Sequence, residues 1–510
     1  MTRQATRPRW VLWLAAFNFC LHLAVSGNYG LFVDELYFLA CGEHLAWGYV
    51  DMPPLTAVQA RVARALFGDT PYGLHVFPAL AGALLVLLVA AIARELGGGR
   101  FAQGLAALAA LVAPGWLALD AYLSMNSIEL VLVACCAWIV IRIINSGNPR
   151  GWLAFGLVAG IGLLNKDTLL LFGFALLAGL LLTDQRRVLF NRWLLIGGAL
   201  ALAIWLPNLL WMWQHHFPHL ELLGNIRAAG RNVALGPSQF IAQQVQLMHP
   251  LNLPLWLAGL WSLLADREDR GRYRALSLAW LIALGLLLAS DGRVYYLLPA
   301  YSVLLAAGAV AAERCSARLR AGNALRTAYA GTLLFTGAVL APLAIPLLPP
   351  ATYIRYSQAL HLAPPRIENR QTSALPQLFA DRFGWPEMAR AVADAYFRIP
   401  QPERSRTAIF AQDYGQAGAI DFYGAKLGLP KALSGHLSYW YWGPREYSGE
   451  TMLVMGDRRE VLELLFEQVE KVGEVGHPYA MGSQHWELFL CRHPRGWTLR
   501  QKWGELKNWN

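Results

Sequence analysis

WLAFGLVAGIGLLNKDTLLLFGFALLAGLLLT, residues 152–183, decides how the chain is threaded. It is apolar except at Asn165-Lys166-Asp167-Thr168, near its middle. A single helix of this length would reach about 48 Å at about 1.5 Å per residue, far beyond a hydrocarbon core of about 30 Å. It would also strand a Lys–Asp pair near mid-membrane, which is costly. Two short helices with the polar turn near one face remove both problems, so the stretch predicts a hairpin.

Outward from this hairpin, counted as the runs 152–165 and 168–183, apolar runs recur at 10–31, 74–95, 101–119, 127–145, 193–213, 251–265, 274–290, 294–312 and 327–348. That makes eleven candidate spans. Composition agrees: 56% of the 510 residues are hydrophobic and 15% charged, against about 45–50% and about 25% in soluble domains. Mean hydropathy is +0.35. These values exclude a disordered chain, a coiled coil and an ordinary soluble enzyme. They predict a mainly α, polytopic membrane protein with about eleven transmembrane helices.

The net charge of +10 does not point to nucleic acid, because the arginines sit in short clusters between apolar runs. With the N-terminus inside, the inner loops receive Arg94 and Arg100, then Arg142 and Arg150, then Arg186, Arg187 and Arg192. Arg267, Arg270, Arg272 and Arg274 follow, and then Arg314, Arg318, Arg320 and Arg326. The outer loops keep Arg61, Arg64, Arg227, Arg231 and Arg293. Counting 152–183 as one span would swap every later loop, so the positive-inside rule favours the hairpin and an outer C-terminus. Arg3, Arg7 and Arg9 before the first run resemble a signal peptide, but no A-x-A site follows, which predicts an uncleaved first span. The six cysteines include no CxxC, so no disulfide framework is expected.

After Pro346, Pro349 and Pro350 hydropathy falls, and residues 351–510 have the size of a domain. Trp385-Pro386-Glu387 opens a helix ending before Pro400. Strands are expected at 407–411, 451–455 and 486–490, with a helical segment through Ala425 and a helix at 459–472. This alternation predicts a small α/β domain following a membrane domain at 1–350. No GxGxxG or P-loop motif is present.

Polar residues gather on the outer side. The first outer loop, 32–73, carries Asp34-Glu35 directly after the first run and Asp51-Met52-Pro53-Pro54 further on. A carboxylate pair beside a membrane surface can take a proton from a hydroxyl, and it can equally be the favourable acid of a helix N-terminus. Asp120, with Asn126 and Glu129 following, is either a site acid or a capping or interface residue. Lys166 either meets a lipid phosphate or pairs with Asp167. Arg293, before Tyr295-Tyr296, is a site cation or an interfacial anchor. His215-x3-His219 with Glu221 has metal-ligand spacing, making a divalent cation a candidate cofactor, although Pro218 interrupts the helix that spacing requires.

In order along the chain, Asp34-Glu35, Tyr49-x-Asp51-x-Pro53-Pro54-Leu55, Leu119-Asp120, Gly162-Leu-Leu-Asn-Lys166-Asp-Thr168 and Arg293-x-Tyr295-Tyr296-Leu-Leu-Pro299 resemble family 39 glycosyltransferases of the GT-C superfamily, which includes protein O-mannosyltransferases and bacterial aminoarabinose (lipid A) transferases. The resemblance covers about residues 10–350. The tail segments Asp413-Tyr414-Gly415 and 434–444 are similar to tails on some bacterial members. Better-known relatives carry a basic residue before the Pro-Pro pair, where this chain has Met52. The resemblance implies a GT-C-like transmembrane domain with a periplasmic or extracellular tail in the inner (plasma) membrane. It also implies transfer of a sugar from a polyprenyl-phosphate donor to a lipid, glycan or protein acceptor. Asp34 would be the base, with Glu35 and Asp120 in the catalytic set. Lys166, Arg293 and Tyr295 would face the donor phosphate, while Asp51, Tyr296 and Glu221 would orient the substrates. Glu35, Asp51 and Asp120 could instead hold a cation.

Two other classes make different demands. A transporter or flippase of lipid-linked saccharides predicts polar residues through the membrane depth and related halves, and the sequence shows neither. A cell-envelope glycan-binding protein would use the Tyr439-Trp440-Tyr441-Trp442 cluster but leaves Asp34, Glu35 and Lys166 without a purpose.

Overall fold

The computed structural model describes residues 8–231, 233–265, 271–362, 369 and 373–509. Arg3 and Arg7 of the N-terminal segment and Arg267 and Arg270, used above for orientation, lie outside the described residues. The chain divides into two compact units. One comprises 1–28, 66–211 and 234–349, the other 29–65, 212–233 and 350–510. Division by packing therefore differs from division by hydropathy at 350, because residues 29–65 of the outer loop and the segment 212–233 pack with the tail.

The first unit is helical. Among the described residues, five apolar helices are long enough to cross a membrane: Pro71–Glu95, Met125–Ser146, Arg192–Gln214, Val294–Ala317 and Gly322–Ala344. Six shorter ones are Arg9–Val25, Arg100–Leu111, Gly151–Leu163, Leu169–Leu181, Pro250–Leu264 and Arg274–Ala289. The stretch 152–183 is broken at Asn165–Thr168 as expected, between Gly151–Leu163 and Leu169–Leu181. The run 101–119 is not one helix. Pro114 cannot donate the hydrogen bond a continuous helix needs, so the chain stops at Leu111 and restarts as Pro114–Leu119.

Small residues bring these helices together. A Cβ at Gly308 would stand 1.9 Å from the Leu255 carbonyl oxygen, and one at Gly259 would stand 2.0 Å from that of Leu304. Such reciprocal backbone approach is the way membrane helices pack where lipid removes the hydrophobic drive. Helices at the periphery expose what a soluble protein would bury: Leu195 is 75% exposed and Phe335 69%. Hydrocarbon is the solvent that fits such surfaces.

The second unit holds a four-stranded sheet of β1 (Ala408–Ala411), β2 (Thr451–Met455), β3 (Phe466–Val475) and β4 (Trp486–Pro494), in the order β1-β2-β4-β3. β1 and β2 are parallel, with Ala408 opposite Met452, and the other pairs are antiparallel. β1 and β2 are buried at every position, as strands covered on both faces are. The helix Trp385–Arg398 forms as its sequence predicts. The expected helix at 459–472 does not. It ends at Leu465, and residues 466–475 form β3, the edge strand beside β4. Its charged residues Glu467, Glu470, Lys471 and Glu474 imitate an exposed helical face, while Phe466, Val469 and Val475 turn inward and Gly473 follows a register shift that a helix would not allow.

The helix Val33–Glu43 lies against Tyr414–Phe422 in this unit. A Cβ at Gly415 would meet Val33 Cγ2 at 2.4 Å, and one at Gly418 would meet the Leu36 carbonyl carbon at 2.7 Å. These two glycines, one turn apart, let the loop helix and the tail helix touch backbone to side chain. Glu43 then ties the loop to Arg64 (2.7 Å) and to Lys431 of the tail (2.5 Å).

Candidate active site

Functional side chains collect into two clusters, one in each unit. In the second unit, Asp34 is half-buried in the first turn of Val33–Glu43, where the unsatisfied N–H groups favour a carboxylate. Its Oδ1 accepts the Tyr414 hydroxyl at 2.6 Å. Glu35 is buried, and its Oε2 accepts the Phe32 backbone N–H at 2.6 Å, closing the first turn. Of the adjacent pair, Glu35 is thus placed as a helix cap and Asp34 points to the tail's phenol.

One turn further, the Tyr37 hydroxyl lies 2.8 Å from both Asp51 Oδ1 and Ser438 Oγ. A phenol has one proton to give. The arrangement that satisfies every group has Tyr37 donating to Asp51, Ser438 donating to Tyr37, and the Val50 N–H donating to Ser438 at 3.1 Å. Burial pushes the Asp51 carboxyl up to about 7; the Tyr37 hydrogen bond opposes that shift and the Asp34 charge adds to it. The Tyr414 ring packs 5.1 Å from Tyr37 and 5.0 Å from His436, and its backbone N–H donates to His436 Nδ1. A hydroxyl presented to this cluster would meet a carboxylate at a helix N-terminus beside a second acid that titrates near neutrality.

The first unit holds the basic cluster. Lys166 does not depend on Asp167 for its partner. Its Nζ donates to Glu129 Oε2 and to Asn126 Oδ1, each at 2.8 Å, and lies 4.6 Å from the Tyr296 ring centre and 5.6 Å from that of Tyr295. Thr168 donates to the other oxygen of Glu129. This ion pair is buried, with the side chains 12% and 4% exposed, so Glu129 cancels much of the charge that Lys166 would offer a phosphate. Arg293 donates to the Tyr295 hydroxyl at 3.2 Å. Chemically this cluster is an aromatic-walled, hydrogen-bonded seat with a guanidinium at its edge.

Asp120 belongs to the same unit but is 2% exposed. A Cβ at Gly82 would stand 2.5 Å from its Oδ2 and 3.1 Å from Asn18 Nδ2, so the carboxyl occupies a helix contact that glycine makes possible. Among the described residues, no group of three His, Cys, Asp or Glu side chains is arranged to hold a metal ion. His215 and His219 fall on different elements, because the preceding helix ends at Gln214, His216 and Phe217 take positive φ, and Pro218 opens a new helix. Glu221 pairs with Lys507 at 2.7 Å, and His215 packs edge-on to Tyr441 at 5.1 Å, so neither joins the other cluster residues named here.

The residues that sequence reasoning did not single out are Tyr37, Ser438, Glu129 and Thr168 as partners, and Tyr414 as the group on Asp34. The signal for Tyr414 was the Asp413-Tyr414-Gly415 segment, whose glycine permits the helix contact.

The family model for dolichyl-phosphate-mannose-protein mannosyltransferase matches residues 51–211. No curated protein sequence matches the chain. Among solved structures, the chain is similar to apo ArnT from Cupriavidus metallidurans, with a TM-score of 0.62 and 14% identity over 94% of this chain and 98% of that one. It is similar to the same protein bound to undecaprenyl phosphate, with a TM-score of 0.60 and 15% identity over the same shares. At such identity the likeness is one of fold. The family match covers less than half of the chain, and the five long apolar helices, with the six shorter ones, are those of a multi-pass membrane protein.

Proposed function

We propose that the protein transfers a sugar from a polyprenyl-phosphate donor to an acceptor on the extracytoplasmic face, with the N-terminus cytoplasmic and the tail outside. The observation that carries this reading is a match along nearly the whole of both chains to a fold whose lipid-bound crystal form holds undecaprenyl phosphate. A lipid-linked donor also agrees with a sequence that has no GxGxxG or P-loop motif.

The reaction is a single displacement. The acceptor oxygen attacks the anomeric carbon while Asp34 takes its proton, the bond from that carbon to the phosphate oxygen breaks, and the configuration inverts. The leaving polyprenyl phosphate is already a stable anion, so it needs charge stabilisation more than a proton. Arg293 supplies that charge. Lys166, engaged by Glu129, fixes Tyr295 and Tyr296 as walls of the phosphate seat. Asp51 orients an acceptor or sugar hydroxyl. Glu35 and Asp120, held as cap and helix contact, stay outside the chemistry.

Purified protein given polyprenyl phosphates carrying radiolabelled sugars tests this directly. Wild type should release the label from the lipid fraction, and Asp34→Asn should lower the rate by about 10²–10⁴-fold, the usual worth of a general base. Undiminished transfer by a folded Asp34→Asn protein rules out Asp34 as the base.

A further inference from the structure

The tail's place in this reaction does not follow from the transferase reading, yet two of its hydroxyl groups reach the acids of the loop. Tyr414, 380 residues along the chain from Asp34, donates to Asp34 Oδ1 at 2.6 Å. That length lies in the range of charge-assisted O–H···O⁻ bonds. Ser438 is joined through Tyr37 to Asp51 and also receives the Val50 N–H. Tyr414 is itself fixed: Asp413 Oδ1 caps the tail helix by accepting the Gln416 N–H at 2.9 Å, His436 accepts the Tyr414 N–H at 3.2 Å, and Gly415 and Gly418 seat that helix on Val33 and Leu36.

We infer that Tyr414 is a positioning residue for the Asp34 carboxylate, and that Ser438 serves Asp51 in the same way through Tyr37, so that the C-terminal tail orients the acids of the catalytic loop. The inference rests on the transferase reading for its catalytic meaning, but the coupling itself is a property of the two side chains. A phenol that donates to Asp34 stabilises its ionised form and holds the plane of the carboxylate. Tyr414 donates to Asp34 and Asp51 interacts with its charge, while Tyr37 and His436 pack against the Tyr414 ring. The titratable groups around Asp51 include Asp34, Tyr37, Cys41 and Tyr49. Without the Tyr414 hydroxyl, Asp34 would lose the donor that stabilises its charged form, and its pKa would rise.

The test needs no substrate. Full-length protein is labelled with a water-soluble carbodiimide and glycine ethyl ester across a pH series, and mass spectrometry follows labelling at Asp34, with Glu221 as the internal reference. Tyr414→Phe keeps the ring and should raise the labelling midpoint of Asp34 by about one pH unit, the scale of one lost charge-assisted hydrogen bond. Ser438→Ala should move the midpoint of Asp51, and Ser438→Thr, which keeps a hydroxyl, should restore it. An unmoved Asp34 midpoint in Tyr414→Phe, with Glu221 labelling as in wild type, overturns the inference whatever the transfer assay shows. A midpoint that moves in a protein that transfers no sugar leaves the coupling standing and removes the transferase reading.

Discussion

Asp34 and Asp51 in the loop-and-tail unit are met by hydroxyl groups, from Tyr414 and Tyr37, whereas Lys166 in the helical unit is met by a carboxylate, Glu129, with Asn126 and Thr168 completing the network. Hydroxyl partners leave an acid able to gain and lose a proton. A carboxylate partner largely cancels its lysine and turns it into a structural anchor. The contrast teaches that charge type in the sequence does not reveal which groups do chemistry; the partner does. In the proposed function, proton transfer belongs to the first cluster and anion binding, through Arg293 and aromatic walls, to the second.

The largest effect expected from this contrast is on stability. Glu129→Ala would leave Lys166 buried without its carboxylate, and removing one member of a buried pair costs about 3–5 kcal/mol. Thermal unfolding of the detergent-solubilised protein should show a pronounced drop. A variant as stable as wild type would mean that Lys166 is not anchored by Glu129, and the distinction between the clusters would vanish.

A smaller effect concerns pH. Asp51 titrates near 7 in the folded protein, while an Asp in an unfolded chain titrates near about 3.9. The folded state therefore holds a proton there that the unfolded chain gives up. Stability from this site is fully present below about pH 4 and is lost as pH rises through about 7. Asp51→Asn, which cannot ionise, should show a shallower fall in Tm between pH 5 and 8 than wild type. Parallel curves for the two proteins would contradict the raised pKa.

Much of the membrane part was legible because its physics is local. Lys166-Asp167 within an apolar run too long for one span forced a break, and the helices end on either side of it. Pro114 was visible in the sequence, but the run around it was apolar enough to hide the interruption. In the tail, the strands at 408–411, 451–455 and 486–494 follow short apolar runs. β3 was missed because its charges fall where an exposed helix would also carry them, and only the neighbouring strand decides between the two.

The candidate site was legible by residue but not by partner. Asp34, Asp51, Lys166 and Arg293 stood out as charges next to apolar runs. Nothing local distinguishes Glu35, held by the Phe32 N–H, from Asp34, held by a tyrosine 380 residues away. Glu129 sits 37 residues before Lys166, on the helix Met125–Ser146, while Lys166 lies in the turn between two others. Glu221 and the histidines near it suggested metal ligation by spacing alone, and Pro218 together with Lys507 gave them other surroundings.

If proton transfer belongs to Asp34 and anion binding to Arg293, equilibrium binding of undecaprenyl phosphate separates the two roles. Asp34→Asn should bind this lipid phosphate within a few-fold of wild type while its transfer rate falls by about 10²–10⁴-fold, and Arg293→Ala should bind it about 10²-fold more weakly, the scale of one lost charge-stabilising donor. Undiminished binding by Arg293→Ala, or binding lost in a folded Asp34→Asn protein, would contradict that division.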